Sequence, residues 1–75
     1  VVLYGRPGCH LCDEGWRALD DLQVSLAFSL REVNIEEDPE LERRFMLEIP
    51  VIEVDGTVVT RAPVDLDAVR AVLGG

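Results

Sequence analysis

The chain has 75 residues and a mass of 8.3 kDa, which leaves room for one small domain over residues 1–75 and for no second core. A chain this short buries only about 60% of its unfolded surface, so each large apolar side chain counts. Seven Arg, no Lys and 15 Asp plus Glu give a formal charge of −8, which opposes binding to phosphate backbones and argues against nucleic acid as a partner.

Val1-Val2-Leu3-Tyr4 is a continuous apolar run, and Gly5-Arg6-Pro7-Gly8 ends it, so the opening reads as a buried strand and a turn. Leu11, Trp16, Leu19, Leu22 and Leu26 then recur every three to five residues, which predicts an amphipathic helix over about residues 10–25. Phe28, Leu30, Val33 and Ile35 predict a second strand over 29–35, with a phase change after Leu30 that requires a bulge or a late start. Asp38-Pro39-Glu40 is a helix start, with Asp38 as N-cap, and the helix is expected to reach Leu47 with Leu41 and Phe45 facing inward.

Val51-Ile52-Glu53-Val54 and Thr57-Val58-Val59-Thr60 flank Asp55-Gly56, a strong hairpin signal because both turn positions need positive φ. Leu66, Val69, Val72 and Leu73 have helical spacing, with Asp65 as the candidate N-cap and Gly74-Gly75 as the stop. The order βαβαββα follows. Right-handed crossover makes the first two strands parallel neighbours, and the hairpin adds antiparallel partners. The expected class is α/β, a four-stranded mixed sheet with helices on both faces.

No apolar stretch approaches the roughly 20 residues of a membrane span, and no secretory signal pattern, repeat or linker is present. A soluble cytoplasmic monomer is expected.

Cys9-His10-Leu11-Cys12 lies where the first turn becomes the first helix. Residues three apart on a helix lie about 5–6 Å from each other, a separation at which a disulfide closes with little backbone movement. So short a loop gains little stability from cross-linking, which points to reactive rather than structural cysteines. Cys9 would stand near the helix N-terminus, where free N–H groups and the dipole favour a thiolate, and Cys12 would be the more enclosed sulfur. On these grounds Cys9 is the nucleophile and Cys12 the resolving thiol of a thiol–disulfide exchange. Metal binding and inert thiols are the competing readings.

Leu3-Tyr4-Gly5-Arg6-Pro7-Gly8-Cys9-His10-Leu11-Cys12-Asp13-Glu14, with Ile49-Pro50-Val51 and Glu53-Val54-Asp55-Gly56 downstream, resembles the glutaredoxin-like branch of the thioredoxin superfamily over essentially the whole chain. The resemblance implies a thioredoxin-like fold and thiol–disulfide oxidoreductase activity. It also implies that Pro50 is cis beside the disulfide and that the backbone of Ile49 pairs with the substrate chain. Disulfide-containing proteins or glutathione would be substrates, with a reductase or thiol donor as the partner and no tightly bound cofactor. Glutaredoxins that grip glutathione carry a Gly-Gly-acidic stretch before the last helix and a Lys ahead of the first Cys. Here Thr60-Arg61-Ala62-Pro63-Val64-Asp65 and Arg6 stand in those places, leaving Arg6, Arg61 and Asp65 as candidate carboxylate- and substrate-binding residues.

His10 and Arg6 would favour a thiolate at Cys9 and Asp13 and Glu14 would oppose it; an exposed helix-start residue is the plainer reading of His10. A closed zinc site needs four ligands, and no other Cys or His exists in the chain, so no metal is expected; nor is an iron–sulfur cluster bridging two chains. A redox-inert interaction module, with or without metal at its cysteines, is the alternative function. Trp16 and Tyr4 read as packing residues, the Tyr4 hydroxyl reaching a polar edge. The acidic run Glu36 to Glu42 reads as a solvated loop and helix start, against selection of a basic partner.

Overall fold

Alternating side chains put Leu3 on one face of the first strand and Tyr4 on the other, and the chain covers both. The computed structural model describes residues 1–74. Its elements are β1 (Val2–Gly5), α1 (His10–Leu22), β2 (Arg31–Asn34), a 3-10 turn (Ile35–Glu37), α2 (Pro39–Phe45), β3 (Val51–Val54), β4 (Thr57–Thr60) and α3 (Leu66–Gly74). The strands form one sheet in the order β2-β1-β3-β4. β1 runs parallel to β2, with Tyr4 opposite Val33, and antiparallel to β3, with Tyr4 opposite Val51.

Burial divides by face. Leu3 and Ile52 meet Cys12, Leu19 and Leu22 of α1 and Val69 of α3 on one side. Ile35, Phe45 and Val51 form the core on the other, under α2, with Tyr4, Leu41 and Val58 packed against it. The expected architecture of a mixed sheet with helices on both faces is the observed one, and among the described residues no helix is long and apolar enough to cross a membrane.

Element ends depart from expectation for local reasons. α1 stops at Leu22 rather than near residue 25, because Val24 and Ser25 bond back three residues, to Asp21 and Leu22, and tighten the last turn. Gln23 Nε2 fastens that turn to the Phe28 carbonyl at 2.9 Å. β2 starts late, at Arg31, and ends at Asn34, whose Oδ1 accepts the N–H of Glu36 at 2.9 Å and turns the chain into a 3-10 segment. Ile35, expected in the strand, is buried from that turn instead. α2 ends at Phe45 rather than Leu47; the N–H groups of Glu48 and Ile49 both donate to the Phe45 carbonyl, and Leu47 stays 91% exposed.

The hairpin turns at Asp55 and Gly56 with φ of 51° and 83°, as the sequence requires. A bulge does occur, in β4 rather than β2: Glu53 faces Val58 but Ile52 faces Thr60, so Val59 is the extra residue. That shift buries Thr60, whose hydroxyl accepts the Asp65 N–H at 3.1 Å and donates to the Arg61 carbonyl at 3.2 Å. Asp65 then starts α3, its Oδ1 accepting the N–H groups of Asp67 at 3.0 Å and Ala68 at 3.3 Å. α3 runs through Gly74, and Gly75 of the expected stop lies outside the described residues.

Candidate active site

Arg6-Pro7-Gly8-Cys9 forms a tight turn in which the Cys9 N–H donates to the Arg6 carbonyl at 3.3 Å and Gly8 has φ of +78°. Proline second and a positive-φ glycine third are the pattern of a type II turn. This turn delivers Cys9 to the N-cap of α1 in extended conformation. There its Sγ accepts the backbone N–H of Cys12 at 3.1 Å, and its carbonyl accepts that of Asp13 at 3.1 Å. An N-cap sulfur is thus seated among unsatisfied helix N–H groups, where negative charge is stabilised.

Cys9 and Cys12 are joined as a disulfide, with Cα atoms 5.2 Å apart. The two sulfurs differ in access: Cys9 is half-buried at the rim, whereas Cys12 is 2% exposed and belongs to the α1 core cluster. Gly5 makes that burial possible. A Cβ at this residue would stand 2.9 Å from Cys12 Sγ and 3.1 Å from its Cβ, closer than packed atoms approach. Gly5 is the last residue of β1 and has no positive φ, so space rather than backbone freedom calls for glycine.

The β1–β3 register, carried on by one residue from Tyr4 and Val51, sets Pro50 level with Gly5 and therefore beside the disulfide. Pro50 is buried and the Ile49–Pro50 peptide bond is cis; Ala62–Pro63, in the loop before α3, is also cis. Ile49 is constrained more than the sequence suggests: its N–H donates to the Phe45 carbonyl at 3.0 Å, so any pairing with another chain falls to its carbonyl.

The charged candidates are dispersed. His10 is 84% exposed, and its Nε2 lies 3.2 Å from Glu14 Oε1 rather than on a sulfur. Arg6 is exposed and lines a cleft with Asp13, Glu32 and Asn34. Arg61 Nε bonds to Glu48 Oε2 at 3.1 Å, and the Ala62 N–H donates to the Glu48 carbonyl at 3.2 Å, so Glu48 ties the proline-bearing loop to the loop before α3. Asp65 is engaged as the α3 cap. Among the described residues no three His, Cys, Asp or Glu side chains converge as a metal-binding group.

Between α1 and the α3 loop lies an apolar cavity of about 270 Å³, bounded by Leu11, Gly15, Pro50, Pro63, Val64 and Leu66, among others. Leu11, between the two cysteines in the chain, and Pro50 line it, and neither cysteine does. Sequence reasoning misses Gly5, Gly15 and Glu48. The first has a legible signal, since Gly8 already supplies the positive φ of the turn and a second glycine needs another reason; Glu48 has none, because its partner is distant in the chain.

The model of the family described as "Glutaredoxin-like domain (DUF836)" matches residues 1–74. The chain is similar to a solution NMR structure of a protein from Nitrosomonas europaea, at 35% identity and a TM-score of 0.85, covering 96% of this chain and 87% of that one. It is also similar to an X-ray structure of a protein from X. campestris, at 33% identity and a TM-score of 0.79, covering 97% and 93% of the two chains. Comparison with curated proteins gives no match. With a family match over almost its whole length and the cysteine pair at the head of α1, the chain belongs to the glutaredoxin-like domain family.

Proposed function

We propose that the chain is a thiol–disulfide oxidoreductase that cycles between the Cys9–Cys12 disulfide and the dithiol. The observation that carries this reading is the asymmetry of the pair: a half-buried sulfur at the N-cap of α1, bonded to a buried one a turn further in. The reduced Cys9 thiolate attacks one sulfur of a substrate disulfide, forms a mixed disulfide and expels the other half as a thiolate, which takes up a proton. Cys12, deprotonated, then attacks Cys9 Sγ, closing the internal disulfide and releasing the second substrate thiolate. Two electrons pass to the substrate, and a dithiol donor or reductase returns them.

Helix N–H groups at Cys9 favour its thiolate as both attacking and leaving group. Substrates are protein or glutathione disulfides, and a reducing cytoplasm suits a pair that must be reduced again in each cycle. No separate cofactor takes part in these steps.

Titration in dithiothreitol buffers of graded oxidation, followed by alkylation and mass spectrometry, tests the reading. The pair is expected to pass from no alkylated cysteine to two in a single two-electron transition. A pair that stays in one state across the series marks a redox-inert module.

A further inference from the structure

We propose that this site selects protein segments in which the reacting cysteine is flanked by an apolar and a basic side chain, and that it disfavours glutathione. The proposal rests on the exchange reading above and adds the substrate class. Its first support is the cavity lined by Leu11, which stands between the two cysteines in the chain, and by Pro50; apart from Glu14 its lining is apolar. At about 270 Å³ it falls just below the small-molecule range of roughly 300–1,000 Å³, and it fits one apolar side chain better than a whole polar tripeptide.

The second support is charge. Two of the three basic side chains of the site segments already pair with a carboxylate, and the third, Arg6, makes no ion pair among the described residues. His10 meets Glu14 at 3.2 Å, Arg61 meets Glu48 at 3.1 Å, and Arg6 shares its cleft with Asp13 and Glu32. Glutathione brings two carboxylates and one ammonium, and on Arg61 it would share the guanidinium with Glu48, which already holds Nε and offsets its charge. Glu48 therefore occupies from within part of the place that a substrate anion would take. A basic side chain has the opposite outcome: Glu14 stands at the cavity, where an incoming cation competes only with the exposed His10, and the chain as a whole carries −8. The occupant that matches is an apolar, cationic stretch of polypeptide.

Single-turnover oxidation of the reduced protein by four mixed disulfides tests this. All share mercaptoethanol as one half and carry, as the other, an end-blocked Leu-Cys-Arg, Leu-Cys-Glu or Gly-Cys-Gly peptide or glutathione; alkylation and mass spectrometry give the rates. Leu-Cys-Arg is expected to react about tenfold faster than Gly-Cys-Gly, as partial burial of a leucine allows. Leu-Cys-Glu should be slower than Leu-Cys-Arg, by a margin that shrinks between about 0.05 and about 0.5 M salt, and glutathione should be slowest. Glu48→Gln should raise the rate with glutathione relative to Gly-Cys-Gly about threefold by releasing Arg61.

Equal rates for the Arg and Glu peptides, a glutathione rate that matches Leu-Cys-Arg, or an unchanged ratio in Glu48→Gln overturns the proposal while leaving exchange intact. Failure of all four disulfides to oxidise the protein overturns the exchange reading itself.

Discussion

The two faces of the sheet use their residues in different ways. Under α2, bulk fills space: Ile35, Phe45 and Val51 are buried, the Tyr4 and Phe45 rings pack with centroids 5.0 Å apart, and the Arg44 guanidinium lies 4.8 Å over the Phe45 ring. Under α1 and α3, side chains are withheld. Gly5 admits Cys12 to the sheet, whereas a Cβ at Gly15 would meet Leu3, Pro50 and Val64 at ordinary contact distances of 3.4–3.6 Å. The first face resembles any small core, where volume matters more than the particular shape. The second gives up side-chain volume to hold a disulfide at the end of a strand, and in so small a chain that choice sets the cysteine pair apart from the rest of the core.

Substitution on each face tests the contrast. Cys9→Ser should abolish exchange, whereas Phe45→Leu should leave the rate per folded molecule unchanged; a catalytic loss in the latter of the same size would erase the distinction. Gly5→Ala should cost about 1–3 kcal/mol in urea unfolding, since the new methyl meets Cys12 and strand backbone cannot yield, and should slow exchange by displacing the resolving sulfur. Phe45→Leu should cost less than about 1.5 kcal/mol, so a neutral Gly5→Ala would show that the close approach is not required. Asp65→Ala removes the α3 cap and should cost about 1 kcal/mol, read by the same unfolding curves.

The smallest effect belongs to the α2 face. Burial, followed by the nearby Glu53 charge and the hydrogen bond to it, holds the Tyr4 phenol above its usual range near pH 10. The folded state therefore keeps a proton that the unfolded chain releases. Stability from this group is complete below about pH 10 and declines as pH rises through the folded value. Tyr4→Phe should remove that part of the alkaline decline in a pH series of unfolding curves; an unaltered slope would assign it elsewhere.

Much of this arrangement is written locally. Apolar Val2 to Tyr4, the Asp55-Gly56 hairpin, the Asp38 and Asp65 caps and the Cys9–Cys12 spacing each act within a few residues, so periodicity and turn chemistry reveal them. Resemblance in the motif segments added the cis Ile49–Pro50 bond, which lies beyond the reach of any local rule. Features set by tertiary contact were hidden: the Val59 bulge that buries Thr60, the cis Ala62–Pro63 bond, and the Glu48–Arg61 pair that neutralises a candidate anion-binding residue. The helix ends differ for the same reason: Leu26 continues the α1 spacing but packs on the core from beyond the helix, and Leu47, the expected end of α2, has no partner element and is about nine-tenths exposed.

Trapping separates the attack expected of Cys9 from the resolution expected of Cys12. Cys12→Ser protein, reduced and mixed with a disulfide substrate, should accumulate a single adduct heavier by one substrate half and mapping to Cys9 after digestion. No adduct under conditions that oxidise the unmodified protein, or an adduct in Cys9→Ser protein that forms as fast at Cys12, would rule out Cys9 as the attacking sulfur.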